Sequence, residues 1–219
     1  VTESIKAIDN EQLEILSEVV GNSLVKLDGE RGNVRTKETN LANLITDAML
    51  YETNADIAIT NGGGIRASID EGEITRGEII SVLPFGNFIV TKYLTGSQIK
   101  EVLEHGVRSY PESLGGFTQV GGLKFVFDDT KLAGERVVKI TVNGEVIDMN
   151  KKYLVATNDF LAAGGDAYPC FGDVNTENEF KALDEALASY IESLGDVKYE
   201  VEGRITIDTL ENIEAQENK

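Results

Sequence analysis

Apolar residues recur at two periods along this chain, and the switching between them divides most of it into elements. From Glu38 to about Glu52, Leu41, Leu44, Ile45, Ala48 and Met49 fall at i, i+3, i+4, i+7 and i+8, which predicts an amphipathic helix. Ile99, Val102 and Leu103 predict a second helix behind a Thr95-to-Gln98 capping-box pattern. Leu183, Leu187, Tyr190 and Ile191 predict a third from about Glu179 to Leu194, with Gly195 just past its end. Shorter helical pieces are expected at residues 10–18 and from Arg76 to Val82, the latter stopped by Pro84. Strand-like runs occupy 19–27, 56–60, 88–94, 122–128, 136–142, 153–157 and 201–207. Asn143-Gly144 after the fifth of these runs is a type I′ hairpin signal, which argues against an all-parallel sheet. The expected fold class is α+β, with mixed β-sheets and packed helices.

Composition narrows the partners. The 219 residues hold 20 Lys and Arg against 38 Asp and Glu, a net charge of −18, which repels polyanions and anionic membrane surfaces. An anionic ligand must therefore be held by local arginines. No apolar run approaches the roughly 20 residues that span a bilayer, and the N-terminus lacks the basic-then-apolar pattern of a secretory signal. The chain begins at Val1 rather than Met, as expected of a processed chain or a piece of something longer. With one histidine and one cysteine it cannot build an imidazole- or thiolate-rich metal centre. His105 is expected as a surface or half-buried helix residue, and Cys170 as a buried, unreactive thiol.

Two glycine-rich loops, each after a strand-like run, carry the candidate chemistry. Asn61-Gly62-Gly63-Gly64-Ile65-Arg66 is neither a dinucleotide fingerprint nor a Walker loop. Its glycines are expected to leave backbone amides unshielded, Asn61 offers a two-sided amide, and Arg66 a planar fork for phosphate or carboxylate. A plain turn with a solvent-facing arginine is the competing reading. In Asn158-Asp159-Phe160-Leu161-Ala162-Ala163-Gly164-Gly165-Asp166-Ala167-Tyr168, an aromatic face suits a planar base and a carboxylate suits vicinal hydroxyls, the two needs of a nucleoside. The alternative places Phe160 in the core and makes Asp166 a turn former. Phe85, in Leu83-Pro84-Phe85-Gly86, is either a second ring for the same base or core.

These loops, together with Arg35-Thr-Lys-Glu38-Thr-Asn40-Leu-Ala-Asn43-Leu and Gln119-Val120-Gly121-Gly122, occur in an order that resembles the C-terminal domain of the 5′-nucleotidase family. The resemblance covers roughly residues 19–208. It implies a substrate-binding domain in which Phe85 and Phe160 sandwich the base, Asn61 contacts it, Asp166 holds the ribose hydroxyls, and Arg35 and Arg66 address ribose and phosphate. It further implies no catalytic residue and no metal ligand in this chain. Two divalent ions and the phosphate-ester chemistry would belong to a separate N-terminal metallophosphoesterase domain. On that reading residues 1–18 are the connector from that domain, residues 209–219 an acidic tail, and the chain alone is inactive. The partners implied are a nucleoside or nucleotide and that second domain, in an extracellular, cell-surface or periplasmic setting. The rivals are a non-catalytic ligand- or partner-binding module on the same fold, and the equivalent domain of a 2′,3′-cyclic nucleotide phosphodiesterase.

Overall fold

The computed structural model describes residues 13–208. In chain order the elements are β1 (Val19–Ser23), α1 (Asn40–Thr53), β2 (Ile57–Asn61), β3 (Gly72–Thr75), α2 (Arg76–Val82), β4 (Phe88–Thr95), α3 (Gly96–Val107), β5 (Thr118–Gly121), β6 (Leu123–Asp128), β7 (Val137–Val142), β8 (Glu145–Val146), β9 (Lys152–Asn158), β10 (Asn178–Ala182), α4 (Leu183–Leu194), β11 (Asp196–Val197) and β12 (Ile205–Asp208). Single helical turns at Arg31–Val34 and Asp159–Ala162 interrupt the longer connections. The strands form three mixed sheets, ordered β11-β1-β3, β10-β4-β9-β2-β5 and β12-β6-β7-β8. The chain is α+β, as its residue pattern indicates.

The five-stranded sheet is covered on both faces, and the alternation of its side chains separates two cores. Ile57, Ile59 and Val155 point into one, with Val102 and Leu103 of α3 and Phe125, Phe127 and Ile140 of the four-stranded sheet. Ala58 and Ala156 point into the other, against Leu44 and Ile45 of α1 and Leu187 and Ile191 of α4. Alanine on that face lets two helices lie close. The capping boxes at Thr75–Glu78 and Thr95–Gln98 are both closed, so α2 and α3 start where their sequences say.

Register then decides where the loops meet. β2 and β9 are parallel neighbours, pairing Ile57 with Val155, so Asn61 and Asn158 end adjacent strands at the same edge. β4 and β5 flank them antiparallel, with Ile89 opposite Asn158 and Thr118 opposite Asn61. The loops that precede β4 and β5 therefore reach that same edge, the carboxyl ends of the central parallel pair, which is where ligands of α/β sheets bind.

The structure departs from the sequence pattern in a few places. The late helix begins at Leu183, four residues after the expected start, because Asn178–Ala182 is an edge strand paired with β4. Strands β3, β5 and β11 are short pieces whose patterns are too brief to stand out. Of the helix expected over 10–18, residues 10–12 lie outside the described residues, as do most of the proposed connector and the tail from 209. Residues 13–16 are helical. At the C-terminal end, buried Glu38 fixes the approach to β12 by accepting from the backbone N–H of Glu202 at 2.8 Å and Arg204 at 2.7 Å, and from Asn43 Nδ2 at 2.7 Å.

Candidate functional site

At the shared sheet edge lies a cleft of about 510 Å³, lined by Arg35, Asn61, Arg66, Phe85, Phe160 and Asp166 together with Gly63, Gly64, Asn87 and Gly115. That volume is in the range of small-molecule pockets. The six candidates, spread over more than a hundred residues of sequence, thus line one cleft. Neither ring is core: Phe85 is 60% exposed and Phe160 46%. Apolar rings left in water inside a concave site are what a stacking ligand would cover.

The polar groups of the cleft are organised before any ligand arrives. Asn158 caps the turn that follows it, its Oδ1 accepting from Leu161 N–H at 2.9 Å. Its Nδ2 donates to Thr60 Oγ1 and to Asn61 Oδ1, which turns the Asn61 amide so that its Nδ2 donates to Asp166 Oδ2 at 2.8 Å. One of the two Asn61 N–H donors is thus committed to Asp166. Asp166 sits at φ 53° and Ala167 at φ 58°, two successive non-glycine residues in the left-handed region. The backbone carbonyl of Asp166 accepts from His105 Nε2 at 2.9 Å. The lone histidine is half-buried, as expected.

Arg35 and Arg66 give the cleft its positive charge. Among the described residues neither belongs to an ion pair. Arg66 donates to Gly63 O at 3.3 Å and lies 5.7 Å over the Phe85 ring. Among the described residues the Arg35 Nε is buried without a partner. Burial first, then the neighbouring Arg31 and Arg66 charges, pull its guanidinium below the ordinary value, and Asp166 only partly offsets them. An anion entering here would relieve that repulsion.

The glycines do less for a ligand than their sequence implies. The N–H of Gly62 donates to Phe117 O at 2.8 Å and that of Gly63 to Gly115 O at 2.7 Å, so neither amide is free to cradle a phosphate. Gly62 is required for close approach, since a Cβ there would collide with the Val34 carbonyl. Asn87, which carries no sequence signal beyond its place after Leu83-Pro84-Phe85-Gly86, also lines the cleft. Its Nδ2 donates to Asp159 Oδ1 at 2.6 Å, and the same oxygen accepts from Phe160 N–H at 2.8 Å, tying the two phenylalanine loops together. Cys170 is partly exposed rather than buried. Its thiol donates to Glu101 Oε2 at 2.8 Å, and burial together with that carboxylate pushes it up to about 12.

Among the described residues no group of three or more His, Cys, Asp or Glu is placed to hold a metal ion. The donors present do not fit a two-metal centre. The family described as 5′-nucleotidase, C-terminal domain, matches residues 19–173. The chain belongs to this family. It is 44% identical over 207 residues to a trifunctional nucleotide phosphoesterase of Bacillus subtilis, covering 90% of this chain and 14% of that protein. It is 35% identical to human 5′-nucleotidase, covering 87% of this chain and 37% of that one. The crystal structure of a 5′-nucleotidase precursor from Thermus thermophilus superposes with a TM-score of 0.86 at 38% identity, over 94% of this chain and 42% of its own. The chain therefore spans well under two thirds of these relatives. Among the described residues, no helix is long and apolar enough to cross a membrane.

Proposed function

We propose that this 5′-nucleotidase C-terminal domain holds the nucleoside part of a nucleotide while a second domain, carrying two divalent ions, hydrolyses the phosphate ester. The observation that carries the reading is the composition of this cleft. Two exposed phenylalanines, the Asp166 carboxylate held by Asn61, and two arginines that form no ion pair among the described residues all face about 510 Å³ at one sheet edge. Phe85 and Phe160 take the base by stacking, and Asp166 accepts from the ribose hydroxyls. Arg35 and Arg66 draw the phosphate end, and Asn61 reaches the ligand with its remaining N–H. Binding energy gathered here, away from the scissile bond, orients the phosphate for chemistry performed elsewhere. No step of that chemistry runs through a residue of this chain, so the chain alone hydrolyses nothing. The similarity to nucleotidases named for nucleotide substrates supports the ligand class, and an extracellular, cell-surface or periplasmic setting goes with it.

Calorimetry of the chain with adenosine, AMP and a UDP-sugar tests this. Binding of at least one, tighter for a nucleotide than for its nucleoside, is expected. Absence of binding heat for all three refutes the nucleoside reading, and metal-dependent phosphatase activity of the pure chain refutes the division of labour.

A further inference from the structure

His105 is the one histidine of the chain, and it lies outside the cleft-lining set, yet its ring reaches the backbone of the residue that carries the cleft's carboxylate. A carbonyl oxygen only accepts, so the 2.9 Å contact with Asp166 O requires a proton on Nε2. Burial, only partly offset by the Asp166 bond and aided by Arg108, holds the imidazole below its ordinary value, so at neutral pH it carries one N–H, and that N–H is spent on Asp166. The ring is itself immobilised. It packs 4.8 Å from Tyr168, whose hydroxyl is gripped between Thr118 Oγ1 at 2.6 Å and Gly116 O at 2.7 Å. Next to it, Gly106 lets α3 press onto β5 so closely that any Cβ would collide with the Thr118 side chain.

Asp166 needs such a restraint. It and Ala167 both occupy the left-handed region, where a flexible loop of non-glycine residues does not stay unaided. The Asn61 bond fixes only the carboxylate end, so rotation of the Asp166 backbone would swing Oδ1 and Oδ2 away from the cleft. We propose that His105 is a positioning residue for the sugar grip: its Nε2–H holds the Asp166 peptide so that the carboxylate meets the two ribose hydroxyls. This rests on the nucleoside reading given above and assigns that site a residue which touches no ligand.

The test compares adenosine with 2′,3′-dideoxyadenosine, which keeps the base and lacks the hydroxyl pair, by calorimetry on the full chain. His105→Phe keeps a ring and removes the donor. Adenosine affinity is expected to fall about tenfold while dideoxyadenosine binding is unchanged, and His105→Gln, with an N–H of similar reach, recovers most of the loss. Equal weakening of both ligands, or no weakening of adenosine, overturns the proposal. Asp166→Ala separates the two levels. If it binds adenosine as tightly as the parent chain does, the ribose reading itself falls and the role of His105 with it; if it is weak while His105→Phe is normal, only the role of His105 falls. Because the chain has a single histidine, nitrogen–proton NMR on the unmutated chain needs no variant to fold. A slowly exchanging Nε2–H tautomer supports the proposal, and an Nδ1–H tautomer overturns it.

Discussion

Phe160 and Phe171 lie eleven positions apart, and truncating each to alanine separates binding from folding. Phe160 is 46% exposed, so its ring adds little to the core, whereas Phe171 is fully buried at 0%. Loss of a buried phenylalanine typically costs about 3–5 kcal/mol, and a half-exposed one should cost about half of that or less, roughly 1–2 kcal/mol. Stacking of a base on an aromatic side chain contributes about 1–3 kcal/mol, so Phe160→Ala should weaken adenosine about 5- to 150-fold. Phe171→Ala should unfold at markedly lower urea, with adenosine affinity close to normal wherever the protein remains folded. Urea melts and calorimetry on both variants give the two axes. If Phe160→Ala binds adenosine within about twofold of the parent while staying folded, base stacking on that ring is refuted.

Other perturbations follow from particular contacts. A Cβ at Gly165 would lie 2.5 Å from Phe160 O and 2.6 Å from two ring atoms. Gly165→Ala should therefore shift the Phe160 backbone and ring together, lowering both the melting temperature and adenosine affinity, the latter about tenfold; unchanged adenosine affinity in the folded variant would mean the ring plays no part. Glu38→Ala strips the acceptor from the N–H groups of Glu202 and Arg204 and from Asn43, and should destabilise by about 3–5 kcal/mol in urea melts. Cys170 should resist iodoacetamide at pH 8 in the folded chain and react readily in urea. Its thiol is raised from about 9 to about 12, so its contribution to stability is intact below about 9 and is lost as pH climbs from there toward about 12, measurable as a falling urea midpoint.

The long periodic segments were legible in the sequence because their signal is local. Leu41 to Met49 fixes α1 and Thr95–Gln98 fixes the start of α3 without reference to anything distant. Residues 179–182 continue the helical pattern of the segment after them, whereas their strand character comes from β4, nearly ninety residues earlier, and not from their own pattern. The site was legible to the same extent. Glycines beside Phe160, Asp166 and Arg66 marked the loops, but the use of the Gly62 and Gly63 amides within the fold depends on the Gly115–Phe117 segment. The His105–Asp166 bond, spanning 61 residues, has no local signature in either segment.

The Asn87–Asp159 bond has a consequence for selectivity. Because it joins the loop carrying Phe85 to the one carrying Phe160, the two rings proposed to stack a base are tied together at the roots of their loops, like a calliper pinned at its hinge. A grip of that kind would sort ligands by thickness alone. Purines and pyrimidines are equally thin, so on the proposed stacking role such a grip is expected to take both, and choice among bases falls to whatever polar atoms meet their edges.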